Sequence, residues 1–264
     1  MLVIKKILNA IVFSNIWISL GAVGTTLVYF LNLKLTIDYN YLILVFFATL
    51  FAYNFQYING QKENNQRQLQ SSWLSKNSQL IKTITYSSLL ISVVLSFFIF
   101  PLNFIWLSLP AVILVVMYKH GINKKFYLRN IPFIKIIVIS FCWMWTCTIL
   151  PQLLNNFFFD WKISLFIFLY VFTITLPFDI RDNNLDDQSI KTVPQLIGLK
   201  KTYFLSLFML LVLMVFSYFI YDNFIVYFIL LTLILMIPSY KPQSENYYLF
   251  ILDGLLVVFP IFVM

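Results

Sequence analysis

Charge is scarce in this chain. Asp, Glu, Lys and Arg together make up 11% of its 264 residues, and only ten residues are acidic. Hydrophobic residues account for 61% and the mean hydropathy is +0.87, a balance that soluble domains of this length rarely show. No polar block large enough for a soluble domain separates the apolar stretches. Histidine occurs once, at His120, and cysteine twice, at Cys142 and Cys147. There is no CxxC pair and no Cys/His zinc pattern, which excludes zinc-ribbon and dithiol chemistry. The cysteines lie five residues apart in one apolar stretch, so on a helix they point in different directions and read as small packing residues. A convincing cleavage site is also lacking after the first apolar run. That run is too long for the h-region of a signal peptide, so it is expected to remain as a span.

What the chain has in abundance is apolar sequence long enough to cross a bilayer. Nine stretches are expected to span: about 7–31, 39–57, 81–100, 101–118, 131–153, 161–178, 203–221, 222–240 and 247–264. Pro101-Leu102-Asn103 and Asp222-Asn223 supply turns where two spans would otherwise run together. The expected fold is an all-α integral membrane protein of a single domain, 1–264. Its nine transmembrane helices would surround a central cavity open toward the cytoplasmic side.

Lysine and arginine set the orientation. With nine spans, every basic residue except Lys34 and Lys162 falls on the side of the N-terminus. The positive-inside rule then puts the N-terminus in the cytoplasm and the C-terminus outside. The expected location is the bacterial cytoplasmic membrane. The net charge of +8 does not argue for nucleic acid, because these basic residues orient the protein and face anionic lipid. Polar loops at about 59–80, 119–130 and 179–201 all fall on the inner side, so polar function is expected there. The first, rich in amides and hydroxyls, reads either as a solvated connector or as a short interfacial helix with Leu69, Trp73 and Leu74 dipping into the headgroups. The 29 Phe, 16 Tyr and 6 Trp serve packing, lipid contact and interfacial belts; some could line an isoprenoid tunnel.

Four of the ten acids lie in one run, Asp179-Ile180-Arg181-Asp182-Asn183-Asn184-Leu185-Asp186-Asp187. Asp179, Asp182 and Asp186 are spaced i, i+3, i+7, which on a helix puts three carboxylates on one face. Like charges so placed repel, and charge near hydrocarbon is costly. A bound cation relieves both effects. Mg²⁺ suits a few carboxylates together with substrate phosphate oxygens, so the run suggests a diphosphate held at a membrane surface. On the acids alone, a solvated charged loop and a metal site both remain open. The run follows Pro177-Phe178, where a kinked helix end can line a polar cavity.

With its downstream block Lys191-Thr192-Val193-Pro194-Gln195-Leu196-Ile197-Gly198, this stretch resembles the second aspartate-rich motif of the UbiA superfamily of membrane prenyltransferases. There, D-x-x-D-x-x-x-D precedes T-[LIV]-P and a glycine. The resemblance covers nearly the whole chain, since nine spans and an inner polar face also fit. It implies Mg²⁺-dependent transfer of a prenyl group from a prenyl diphosphate to a lipophilic or aromatic acceptor, with Asp179, Asp182 and Asp186 as metal ligands. The chain is a divergent member. The family's first motif, N-x-x-x-D-x-x-x-D, is similar to the stretch from Asn54, but Ile58 and Lys62 stand at the aspartate positions. Asn54 and Gln56 remain as neutral candidates for substrate positioning. The family's basic loop after span 4 resembles Tyr118-Lys119-His120 through Lys124, Lys125, Arg129 and Lys135. Lys119, Lys124, Arg129, Lys135, Arg181 and Lys191 are therefore candidate diphosphate-binding residues, although the positive-inside pattern predicts lysines here anyway.

His120 reads as a loop residue or a base. Ser14 and Asn15 read as helix–helix hydrogen-bond partners or cavity residues. Asp253, an acid within the last span, reads as functional or as part of a helix break before Gly254. Besides the enzyme, two readings stay open. A catalytically silent isoprenoid-binding or scaffold protein is favoured by the altered first motif. A small-molecule transporter is opposed by the acids' clustering at one face, since transporter sites usually lie near the midplane.

Overall fold

The computed structural model describes residues 2–60, 69–119, 133–155, 159–183, 192–220 and 223–264, and every element among them is helical. The helices are α1 Leu2–Phe13, α2 Ile16–Asn32, α3 Tyr39–Gly60, α4 Leu69–Lys76, α5 Ser78–Phe98, α6 Asn103–Lys119, α7 Ile134–Met144, α8 Leu150–Leu154, α9 Trp161–Asp182, α10 Val193–Ile197, α11 Leu199–Ile220, α12 Asn223–Met236 and α13 Asp253–Val258. A π-helical turn, Trp145–Ile149, joins α7 to α8, and another, Tyr247–Leu252, leads into α13. Short 3₁₀ segments follow α12 and α13.

Five helical stretches are long and apolar enough to cross a membrane: Tyr39–Ile58, Ser78–Phe98, Ile134–Leu154, Trp161–Asp182 and Leu199–Phe219. A sixth is the pair Lys6–Phe13 and Ile16–Asn32, bent by 62°. Three further apolar helices are shorter: Asn103–Tyr118, Phe224–Tyr240 and Tyr247–Phe262. The Pro101 turn lies between α5 and α6, where Phe104 N–H donates to the Pro101 carbonyl.

The chain divides into two compact units, 1–107 with 245–260 and 108–244 with 261–264. In the first unit, α2 packs against α3 and α13, and α3 packs against α5. Glycines set the α2–α13 approach. A Cβ on Gly24 would collide with the Leu256 carbonyl oxygen, and one on Gly21 would come within 3.0 Å of Leu256 Cβ. Close backbone approach through small residues is how helices associate where lipid removes the hydrophobic driving force. Trp17 completes this contact. Its ring stacks on Phe250 at 5.1 Å, and its indole N–H donates to the Phe250 carbonyl within the π-helical turn.

In the second unit, α9 packs against α7 and α11, and α10 against α9 and α11. Asp160 caps α9 by accepting from the Lys162 and Ile163 N–H groups. Polar side chains inside these helices mostly return a hydrogen bond to their own backbone. Ser140, for instance, donates to the Ile136 carbonyl and Thr173 to the Leu169 carbonyl, which keeps hydroxyls satisfied away from water.

Candidate functional site

Asp179 and Asp182 lie one turn apart in the last turn of α9. This is an unfavourable place for acids, because the carboxyl end of a helix carries partial negative charge. Cations offset it. Lys135, in the first turn of α7, places its Nζ 2.6 Å from Asp179 Oδ1 and 4.0 Å from Asp182 Oδ2. Arg181 forks onto Asp182, with Nε 2.7 Å from Oδ1 and an Nη2 donor 3.1 Å from Oδ2. Its guanidinium also lies 5.3 Å from the centre of the Phe178 ring. Asp179 is almost wholly enclosed, at 1% exposure. The Lys135 side chain keeps 18% of its surface open.

Apolar packing holds these groups in place. Ile136, Leu176 and Val193 form one buried cluster, with Phe172, Ile197 and Leu205 against it. Ile136 follows Lys135, Leu176 lies one turn before Asp179, and Val193 opens α10. The cluster thus fixes the backbone of α7, α9 and α10 beside the charges. The downstream block is a helix start: Gln195 Oε1 accepts from the Thr192 N–H at 3.2 Å, and Pro194 sits in the first turn, where a missing N–H costs nothing. Gly198, at φ 89°, then redirects the chain from α10 into α11, a conformation that favours glycine.

One cationic nitrogen therefore pairs closely with Asp179 and lies 4.0 Å from Asp182. The donor set suits a cation: two carboxylates flank the Lys135 ammonium, and their oxygens are the hard donors that Mg²⁺ prefers. Among the described residues no group of three His, Cys, Asp or Glu side chains comes together. Asp186, Lys124, Arg129, Lys191 and His120 lie outside the described residues. Lys119 ends α6, and only its backbone is described.

The first unit holds a different polar cluster. Asn15 breaks the first span, at φ 65°, a left-handed conformation that asparagine tolerates. Asn54, fully buried on α3, secures the break. It accepts from Asn15 Nδ2 at 3.0 Å and donates to the Ser14 and Leu50 carbonyls at 3.1 and 3.0 Å. Gln70 of α4 donates to the Phe13 carbonyl and to Asn15 Oδ1. The Asn15 side chain thus makes helix–helix hydrogen bonds, whereas the Ser14 hydroxyl donates to the Ile11 carbonyl of its own helix. Gln56, two residues beyond Asn54, projects from a different side of α3 and is partly buried.

The loop segment 59–80 does contain a short helix, but α4 docks on protein rather than through all three apolar residues on headgroups. Leu74 is buried and Trp73 packs 6.2 Å from Phe13, while Leu69 is exposed. The N-terminus of α4 receives Glu245, whose carboxylate accepts from the Leu69 N–H at 2.6 Å and from the Gln70 N–H at 3.2 Å. Sequence offered no sign of this pair, since 176 residues separate Glu245 from Leu69. It did single out Asn15 as polar within a span, but not its partner Gln70.

Residues 57–244 match the model of the UbiA prenyltransferase family. No curated protein matches the chain significantly. Among solved structures, a UbiA homolog from Archaeoglobus fulgidus bound to GPP and Mg²⁺ is similar, with a TM-score of 0.68 and 14% identity. The alignment covers 97% of this chain and 99% of that one. A structure of a UbiA homolog from the same organism bound to DMAPP and Mg²⁺ aligns with a TM-score of 0.62 at 13% identity, covering 97% of each chain. The structural likeness speaks for the fold and extends to nearly the whole chain. With the family match spanning well over half the sequence, including both described acids and their flanking block, this chain belongs to the UbiA prenyltransferase family.

Proposed function

We propose that the protein transfers a prenyl group from a prenyl diphosphate to a lipophilic or aromatic acceptor, with Mg²⁺ as cofactor. The observation that carries this reading is the convergence of Asp179 and Asp182 on a single cation position, next to Arg181. Family membership and the GPP and DMAPP bound by the two Archaeoglobus structures support the substrate class.

In this reading Asp179, Asp182 and Asp186 hold the metal. The chemistry supplied by bound Mg²⁺ is neutralisation of the charge on the diphosphate oxygens. Arg181, Lys135, Lys119, Lys124, Arg129 and Lys191 are read as diphosphate-binding residues whose charge would favour the charge that develops on the diphosphate as it departs. The allylic C–O bond would break with diphosphate taking the electron pair, the acceptor's electrons would form the new C–C or C–heteroatom bond, and the acceptor would release a proton to diphosphate or water. Asn54 and Gln56 are read as neutral residues that help to position the ion or substrate. The nine apolar segments are read as nine spans with the N-terminus in the cytoplasm, so that the acid run faces the inner leaflet.

A second reading, a silent isoprenoid-binding homologue, draws on Ile58 and Lys62 at the acidic positions of the first motif and on the engagement of the Asn54 amide with Ser14, Asn15 and Leu50. Purified protein incubated with geranyl diphosphate, an aromatic acceptor and Mg²⁺ separates the two. The enzyme releases diphosphate, stops on addition of EDTA, and slows sharply as Asp182→Asn. A silent binder retains the diphosphate without turnover, and that result would sink the catalytic reading.

A further inference from the structure

We propose that Lys135 is the resident counter-ion of the acid pair: it occupies the metal position in the substrate-free protein and passes to the diphosphate when metal and substrate enter. The inference rests on the reading of Asp179 and Asp182 as metal ligands.

The argument begins with space and charge. Lys135 Nζ stands 2.6 Å from Asp179 Oδ1 and within 4.0 Å of Asp182 Oδ2. Mg²⁺ sits about 2.0–2.1 Å from its oxygen ligands. A divalent ion and an ammonium cannot share that point, since they would overlap and repel. A carboxylate as enclosed as Asp179, at the negative end of a helix, is costly to keep ionised without a cation. At Asp179 Oδ1, one positive charge replaces the other.

The two basic residues at the site differ in how easily they can move. Arg181 is the sequence neighbour of Asp182, grips it with two nitrogens and lies against Phe178. It is held to its own helix. Lys135 reaches across from α7 with a point-charge ammonium on a flexible stem. Its backbone is anchored by Ile136 in the buried cluster with Leu176 and Val193. The ammonium can consequently swing by side-chain rotation alone, with no movement of α7.

The energetic consequence is coupling. Metal alone must displace Lys135 from Asp179, so it binds weakly. Metal with a diphosphate gives the ammonium a new partner, so each ligand strengthens the other. The arrangement disfavours bare metal at the site and makes Lys135 a ligand of the substrate rather than of the protein.

The test is a reversal of sign in one variant. Full-length protein in detergent is titrated with Mn²⁺ alone, followed by loss of the free-ion EPR signal. It is then titrated with geranyl S-thiolodiphosphate at saturating Mg²⁺. Lys135→Met is expected to bind Mn²⁺ about tenfold more tightly and the analogue about tenfold more weakly than the wild type, within the usual range of coupling between sites. Lys135→Arg, which retains the charge, should bind Mn²⁺ as weakly as the wild type. General damage to the fold would weaken both titrations in Lys135→Met and cannot produce the reversal. Unchanged or weaker Mn²⁺ binding in Lys135→Met overturns the proposal. If the wild type still binds the analogue only with Mg²⁺ present, the prenyltransferase reading survives that result. If the wild type binds neither Mn²⁺ nor the analogue, both readings fall.

Discussion

The two polar clusters solve the same problem in different ways. Each places polar groups inside a chain that is mostly hydrocarbon. Around Asn15, Asn54 and Gln70 the groups are neutral amides, and each bond goes to a fixed partner such as the Ser14, Leu50 or Phe13 carbonyl. Around Asp179 and Asp182 the groups are charged, and the partners are lysine and arginine side chains. Amide hydrogen bonds are directional and their loss leaves orphaned donors and acceptors, so the first cluster fixes backbone geometry. Ion pairs are less directional and one cation can stand in for another, so the second cluster can exchange partners. Built-in geometry belongs to the amides, and ligand exchange belongs to the acids.

The largest effect should come from removing the resident cation. Without metal, Lys135→Met is expected to lose about 3–5 kcal/mol of stability, the usual result of stranding a buried charge. Saturating Mg²⁺ should recover much of it. Thermal unfolding in detergent with EDTA and with Mg²⁺ measures both, and failure of Mg²⁺ to recover stability would show that the acid cluster does not exchange cations. Next in size, Asp182→Asn is expected to reduce diphosphate release from geranyl diphosphate by on the order of 10²–10³-fold, with helix content by circular dichroism unchanged.

Asn54→Leu should cost about 1–3 kcal/mol, because the Asn15 amide and the Ser14 carbonyl lose their partner in a buried setting. This loss should be the same with EDTA and with Mg²⁺. A loss erased by Mg²⁺ would instead make Asn54 a metal ligand and dissolve the contrast between the clusters. The smallest effect should be Glu245→Gln, about 0.3–1 kcal/mol from the weakened interaction with the amino end of α4, read as a lower unfolding midpoint that is insensitive to Mg²⁺.

Much of the fold was legible because bilayer spans are long apolar runs, and length and hydropathy are local properties. The five long helices, the bent pair and the three shorter apolar helices fall where the runs predicted spans. The 62° break inside the first run was not expected as a break. Asn15 stood out as polar, but its left-handed backbone depends on a hydrogen bond its side chain donates to Asn54, 39 positions away, and one it accepts from Gln70, 55 positions away. At the candidate site, the i, i+3, i+7 spacing led to an expectation of three carboxylates on one helix face; Asp179 and Asp182 share the last turn of α9, and Asp186 lies outside the described residues. Lys135 was ambiguous, because the positive-inside pattern accounts for a lysine there whether or not it meets an acid.

Composition and spacing determine the apolar surroundings this chain is built for, the helical character of its segments and the single helical turn shared by Asp179 and Asp182, since each follows from residues near one another along the chain. Which cation meets Asp179, what holds Asn15 in its unusual conformation and which carboxylate caps α4 depend on residues 44, 39 and 176 positions apart. Those pairings follow from how the helices pack, through the close approach at Gly21 and Gly24 and the cluster around Ile136, Leu176 and Val193. Packing sums many weak contacts over distant segments, and no local pattern in the chain records the sum.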